Sequence, residues 1–356
     1  MKKLAMWLAV LFCLLYAQAW AEEGKIPYWA EESKALASIL SYVETVTQEG
    51  TEGYVPPQER IAVFDFDGTL YGELFPTYFD VSLLIHRVLH DSSYEAPQDV
   101  KEFASALEEA AKKHLPEPDL PRSAGQTSAE SFAGMTVEEY RAYVRRFMDE
   151  PAYGFEGMTY AQGFYRPMVE LARFLAERDF KVFISSGSER NMVRELMKDE
   201  LGEWIPPERV IGSTFVLKAS GQGEKSGRSY TLKAEDTVFL EGNMEVKNQK
   251  TNKVFSIVNE IGAVPILVFG NSSGDLAMGQ YALQHGGKGY MLLCDDTERD
   301  YGRPEVAASF AESCASIGLE TISMRDDFAA IYGEEAVKTE TEEEPAQGQE
   351  ELAPAA

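Results

Sequence analysis

Three short polar clusters stand where apolar runs stop, and each carries residue types able to handle charge or protons. The first, Asp65-Phe66-Asp67-Gly68-Thr69, closes the run IAVF. Side chains alternate along an extended strand, so Asp65 and Asp67 point one way and Phe66 the other. Two carboxylates that close repel unless something positive stands between them. The second cluster is Ser186-Gly187-Ser188 after KVFIS, and the third is Asn271-Ser272-Ser273-Gly274-Asp275 after PILVF. A lone Asp-x-Asp-Gly is an ordinary turn signature. Three clusters in order, each ending an apolar strand, describe instead one site assembled from strand ends. A calcium loop of the EF-hand type does not fit: its glycine belongs at the sixth position between helices, whereas Gly68 is fourth and follows a strand.

The elements that must position these clusters alternate from Pro167 onward. PMVELARFLAERD reads as a helix, KVFIS as a strand, SERNMVRELMKDEL as a helix and RVIGSTFVL as a strand. KVFSIVNEI and GDLAMGQYALQH follow as helices around the strand PILVFG, and GYMLLC is the last strong strand. Strands apolar throughout, such as PILVF and YMLLC, are covered on both faces and imply a mostly parallel sheet. The expected fold class is therefore α/β, a Rossmann-like, mostly parallel sheet with ligands at the carboxyl ends of its strands.

Residues 76–159 carry helical patterns near 77–90, 99–114 and 129–149 and read as a helical cap inserted after the first strand. Tyr71, Phe75, Tyr78 and Phe79 read as cap core rather than as a cage for a quaternary ammonium. The core is expected over 60–75 and 160–333, with a β-hairpin-like excursion near 213–245. Residues 22–59 form an N-terminal helix (31–48) and a linker. The acidic stretch 334–356 reads as a disordered tail.

The formal charge of −26 argues against nucleic acid, whose phosphates demand a basic face, and suits a chain that holds divalent cations. Residues 1–21 read as a cleavable signal peptide: MKK, then about fourteen mostly apolar residues, then Ala19-Trp20-Ala21. That run is shorter than the roughly 20 residues a membrane span needs, so we expect a periplasmic or secreted protein with no stable membrane insertion after cleavage. Export leaves Cys294 and Cys314 in an oxidising compartment, where they are free to pair or to remain apart. The four histidines, His86, His90, His114 and His285, show no metal or triad spacing.

The three clusters, together with YRPMVELARFLAERDFKVFISSGSERNMVRELM, IPPERVIGS and FGNSSGD, resemble the haloacid dehalogenase superfamily, in its phosphoserine-phosphatase-like branch. The resemblance spans roughly residues 60–75 and 160–295. It implies that Asp65 is a nucleophile forming an aspartyl-phosphate, and that Asp67 protonates the leaving alkoxide and then deprotonates water. Dehalogenases of the superfamily typically lack the second aspartate, so Asp67 favours phosphoryl transfer. The resemblance further implies Mg²⁺ held by Asp65, Asp67 through its backbone carbonyl, Asn271 and Asp275. Asn271 stands where an aspartate is usual; an amide oxygen ligates without charge.

Ser186 would hydrogen-bond the phosphoryl group, with Thr69 and Gly187 beside it, and Lys253 would neutralise phosphate and nucleophile. Lys250 and Lys247 are its rivals in sequence. Glu73 is placed to hold a substrate ammonium. Arg166 and Arg194 are candidates for a substrate carboxylate or for plain salt bridges. The implied activity is Mg²⁺-dependent hydrolysis of a small phosphate monoester, phosphoserine-like or phosphocholine-like. A phosphotransferase or mutase using the same intermediate, and a non-catalytic binding protein, are the alternatives; the oligomeric state is open.

Overall fold

The structure, a computed structural model, describes residues 26–113 and 121–339. The expected signal peptide and residues 340–356 of the acidic stretch lie outside them.

Among the described residues the strands are β1 (Ile61–Phe64), β2 (Phe155–Glu156), β3 (Lys181–Glu189), β4 (Val210–Ala219), β5 (Val238–Val246), β6 (Leu267–Gly270), β7 (Lys288–Leu293), β8 (Glu320–Ser323) and β9 (Val337–Lys338). Seven of them form one sheet in the order β5-β4-β3-β1-β6-β7-β8. All neighbours run parallel except β4 and β5, which pair antiparallel as the expected hairpin-like excursion. The architecture is the α/β, mostly parallel sheet that the apolar strands imply.

Alternation along β1 explains why it is central. Ala62 and Phe64 join the larger core on one face, and Ile61 and Val63 the second core on the other. The larger core is covered by α1 (Lys34–Thr47), through Ile39 and Val43, together with the helices 166–176 and 190–196 introduced below. Burying a side chain such as Phe64 contributes roughly 1.5–3 kcal/mol, and its ring stacks on Phe269 of β6 at 4.3 Å.

The cap is built from α2 (Phe79–Ile85), continued by a π-helical turn to His90, then α3 (Gln98–Lys112), α4 (Ala124–Ser131) and α5 (Val137–Met148). Leu84, Val88, Val100, Phe103 and Leu107 give it a core of its own. The single helix expected over 129–149 is split in two. Gly134 adopts φ 84°, which ends α4, and Thr136 and Glu139 form a reciprocal capping box that starts α5 afresh. Tyr71 and Phe79 are fully buried against Phe164 and Phe147, so these rings are packing, whereas Tyr78 of the same cluster faces the cavity described below.

After the cap come α6 (Arg166–Ala176), α7 (Arg190–Leu196), α8 (Thr251–Ser256), α9 (Leu276–Gln284) and α10 (Pro304–Ser316). Arg141 and Arg145 of α5 both reach Glu195 of α7 at 2.8 Å, tying cap to core. Strand β8 and helix α10 carry no clear sequence signal: β8 is a four-residue, half-buried edge strand, ETIS. The acidic stretch is ordered at its start, where β9 pairs antiparallel with β2 and Lys338 donates to the Thr297 carbonyl at 2.6 Å. Residues 334–339, expected to belong to the tail, are thus part of the fold. Cys294 and Cys314 are both free. Among the described residues no helix is long and apolar enough to cross a membrane.

Candidate active site

All three polar clusters meet at the carboxyl ends of β1, β3 and β6, around a cavity of about 270 Å³. Asp65 leaves β1 with its backbone N–H bonded to the Phe269 carbonyl at 2.8 Å. Gly68 then turns the chain at φ 76°, and a Cβ there would lie 1.9 Å from Asn271 Nδ2. Only glycine permits both the turn and that approach.

Lys253, at the first turns of α8, is buried and donates to Asp65 Oδ1 and, at 2.6 Å, to Asp275 Oδ1. Its rivals are elsewhere. Lys250 is exposed and its N–H bonds the Gly274 carbonyl, while Lys247 reaches the Gly187 carbonyl at 3.0 Å on the cavity rim. Burial works against the Lys253 charge, yet the Asp275 and Asp65 carboxylates hold its pKa above the ordinary value. The ammonium therefore stays charged, and the surplus negative charge settles on the carboxylates. Burial first, then repulsion from Asp275, pushes Asp65 up to about 8.

Asp67 is held differently. Ser188 Oγ donates to its Oδ2 at 2.7 Å and Ser186 Oγ at 3.3 Å, while Oδ1 is buried with no hydrogen-bond partner. Burial, then the charge of Asp80 on the cap, pushes its pKa up to about 7. Two aspartates one residue apart thus sit in different surroundings, one clamped by an ammonium and the other held by hydroxyls with a free oxygen.

Ser188, and not the expected Ser186, faces the cavity. Gly187 and Ser188 line the cavity; Ser186 is fully buried behind it, accepting from the Ser188 N–H at 2.9 Å. Neither serine caps the following helix, because β3 continues through a register shift to Glu189, whose carboxylate accepts from the N–H groups of Asn191 and Met192. Asn248, which sequence reasoning missed, pins this turn: its Nδ2 donates to Ser185 Oγ and to the Ser186 carbonyl. Thr69 is fully buried and does not line the cavity, so it is not placed to face a substrate there.

Asp275 accepts from the Asn271 and Ser272 N–H groups and the Ser272 hydroxyl through Oδ2, and from Lys253 through Oδ1. Both its oxygens are occupied, which makes it an anchor for the loop and the lysine. Asn271 Nδ2 donates to Glu73 Oε1 at 3.0 Å, an orientation that leaves Oδ1 as its ligating atom. Glu73 is not free to hold a substrate ammonium: its other oxygen accepts from Arg303 at 3.1 Å. No local pattern could have paired them, with 230 residues between. Arg166 is paired with Glu200, and Arg194 bonds the Pro207 carbonyl, so neither arginine reaches the site.

A family model described as haloacid dehalogenase-like hydrolase matches residues 62–280, well over half of the chain. The chain belongs to this family. No curated protein sequence matches it. Among solved structures, a conserved protein of unknown function from Anaerococcus prevotii is similar at 15% identity, covering 84% of this chain and 94% of its own, with a TM-score of 0.51. Cytosolic 5'-nucleotidase IIIB bound to cytidine covers 83% of this chain and 87% of its own at 14% identity and a TM-score of 0.45. A probable phosphoserine phosphatase from Vibrio cholerae covers 78% and 67% at 15% identity and 0.38. At 15% identity the likeness to the Anaerococcus prevotii protein concerns the fold alone.

In this haloacid dehalogenase-like hydrolase the oxygen donors around Asp65 suit a divalent cation. Asp65, Asp67 and Asp275 against Lys253 leave a formal −2 in a buried site, and among the described residues no hydrogen bond engages Asp65 Oδ2. No cluster of three or more His, Cys, Asp or Glu side chains suited to a metal occurs among those residues. A cation here would rest on one carboxylate, an amide oxygen and a backbone carbonyl, with water completing its shell. That hard-oxygen set, with room for water, fits Mg²⁺.

Proposed function

We propose that this hydrolase cleaves phosphate monoesters, with Asp65 as nucleophile and Asp67 as general acid and base, in an exported protein. The observation that carries the reading is the unequal environment of the two aspartates. Lys253 fixes Asp65 Oδ1, leaving Oδ2 to attack phosphorus. Asp67 carries a pKa near neutrality and an unpartnered Oδ1, as a group that must both give and take a proton requires.

Asp65 Oδ2 forms a bond to phosphorus while the ester P–O bond breaks, and Asp67 passes its proton to the departing alkoxide. Asp67, now ionised, takes a proton from water, whose oxygen attacks the same phosphorus and releases Asp65 and inorganic phosphate. Ser188 and Ser186 hold the Asp67 carboxyl in line for both transfers. Lys253 neutralises the nucleophile, and Gly187 and Ser188 form the wall facing the phosphoryl oxygens. Asp65, Asn271 and the Asp67 backbone carbonyl would hold Mg²⁺, which when bound supplies the positive charge that lets a phosphate dianion approach. Tyr78 and Asp80 bring the cap over the cavity and limit bulk water.

The test is phosphate release from a panel of monoesters by the purified protein, with Mg²⁺ or EDTA, beside Asp65→Asn. Activity abolished by EDTA and by the substitution is the expected result. No release from any ester, or a variant equal to wild type, would overturn the reading. Transfer to an added alcohol in preference to water would make the protein a phosphotransferase.

A further inference from the structure

A second cavity, of about 570 Å³, adjoins the first, and the two share Tyr78, Asn271, Ser272 and Ser273 as a common wall. Its size lies within the roughly 300–1,000 Å³ range of small-molecule sites, whereas the reaction cavity is smaller than that range. Leu292 and Leu293 at the end of β7, with Val306, Ala307 and Phe310 of α10, give it an apolar side. Val306 is 56% exposed there, apolar surface left to solvent at the cavity mouth. Charge is arranged to be neutral: the Glu73 carboxylate and the Arg303 guanidinium at the border bond to each other.

We propose that this second cavity is the subsite for the alcohol part of the substrate, and that it selects phosphate monoesters of bulky, uncharged, apolar alcohols, an aromatic ring foremost. This rests on the phosphatase reading and names the substrate class of the same site. With phosphorus against Asp65, an ester oxygen at the Tyr78–Asn271 edge directs its carbon skeleton into the second cavity. An aromatic group there meets Leu292, Leu293 and Phe310, and apolar area leaves water. A charged amino-acid or choline-like alcohol gains little. The Glu73 and Arg303 charges are already committed to each other, and desolvating an ion beside the leucines is unfavourable.

The experiment compares ethyl, 2-phenylethyl and 2-(1-naphthyl)ethyl phosphate, whose alkoxides are similarly basic, so that differences read binding and not leaving-group reactivity. The expected result is a rise of at least tenfold in kcat/KM from the first to the last. Val306→Trp and Ser309→Trp fill the cavity from exposed positions and should collapse that ratio at least tenfold, while Lys225→Trp, on the distant hairpin surface, leaves it intact. In parallel, naphthyl fluorescence follows binding of the third ester to Asp65→Asn protein with and without Val306→Trp. Turnover of all three esters at equal efficiency, or a ratio that survives both cavity-filling substitutions, overturns the subsite while the phosphatase reading stands. Binding that Val306→Trp weakens, with no turnover by the parent enzyme, sinks the phosphatase reading and keeps the subsite.

Discussion

Lys253 is the residue whose loss the structure prices most directly. Lys253 is 2% exposed, and its ammonium lies between two carboxylates, bonding Asp65 and Asp275. Lys253→Met keeps the length of the side chain, so lost packing costs less than about 1.5 kcal/mol. The larger loss is electrostatic: removing one member of a buried pair and leaving the other unpaired costs about 3–5 kcal/mol. That cost depends on pH. Asp65 already has a folded-state pKa raised from 3.8 to about 8 by burial and by Asp275, and removing the ammonium raises it further. A carboxyl with a raised pKa contributes stability that is present below its unfolded value and lost as pH rises through the folded value. Near pH 6 parent and variant both hold the Asp65 proton, so the Asp65 part of the cost is small; it should grow as pH rises above about 8, where the parent releases that proton to complete its ion pair and the variant still keeps it.

Urea unfolding in EDTA near pH 6 and near pH 9, with constant m-values, measures this. Lys250→Met, at an exposed position, should shift stability by under about 0.5 kcal/mol and leave phosphate release nearly unchanged, whereas Lys253→Met lowers kcat by about 10²–10³-fold. Equal effects from the two lysines, or a Lys253→Met protein as stable as the parent near pH 9, would refute the electrostatic account.

Three further outcomes follow from the same geometry. Gly68→Ala forces a Cβ into the place of Asn271 Nδ2 and strains a φ of 76°, so it should cost about 1–3 kcal/mol by urea unfolding and weaken Mg²⁺ binding by calorimetry. Glu73→Gln removes the carboxylate that orients the Asn271 amide and should lower Mg²⁺ affinity about 10–100-fold; if Glu73 instead held a substrate ammonium, only KM for amine-bearing esters would rise. Asp300 is buried, bonded by Tyr332 at 3.0 Å, and pushed up to about 7 mainly by burial. Its contribution is lost as pH rises toward 7, so Asp300→Asn should flatten the fall of stability between pH 5 and 7 by about 1.4 kcal/mol per pH unit.

What could be read from the chain was what is local. Strand ends were legible because β1, β6 and β7 are apolar throughout and stop at polar clusters. Lys253 and Lys250 were rivals in sequence, because one helical turn apart they share the same local pattern; only the fold buries Lys253 between Asp65 and Asp275. The division of labour between Ser186 and Ser188 was not legible, since it depends on β3 running on past Ser185 through a register shift to Glu189. Glu73 illustrates the same limit at longer range. Its carboxylate looks available in sequence, yet Arg303 and Asn271, 230 and 198 residues away, occupy it. Strand β8 was missed because an edge strand half exposed on four residues has no apolar run to announce it.

The asparagine at 271 now has a physical reading that sequence could not supply. An aspartate there would add a fourth carboxylate to Asp65, Asp67 and Asp275, with Lys253 already shared between two of them and Arg303 already paired with Glu73. It would also place that charge within hydrogen-bonding distance of Glu73, where Asn271 Nδ2 now donates. The amide removes the repulsion and turns Glu73 from a competitor into a partner that fixes the amide orientation. The site keeps a formal −2, the charge a single divalent cation cancels. Asn271→Asp tests this: with Glu73 retained it should destabilise the protein in EDTA, and with Glu73→Gln beside it the cost should shrink. Additive effects of the two substitutions in a double-mutant cycle would sink the compensation argument.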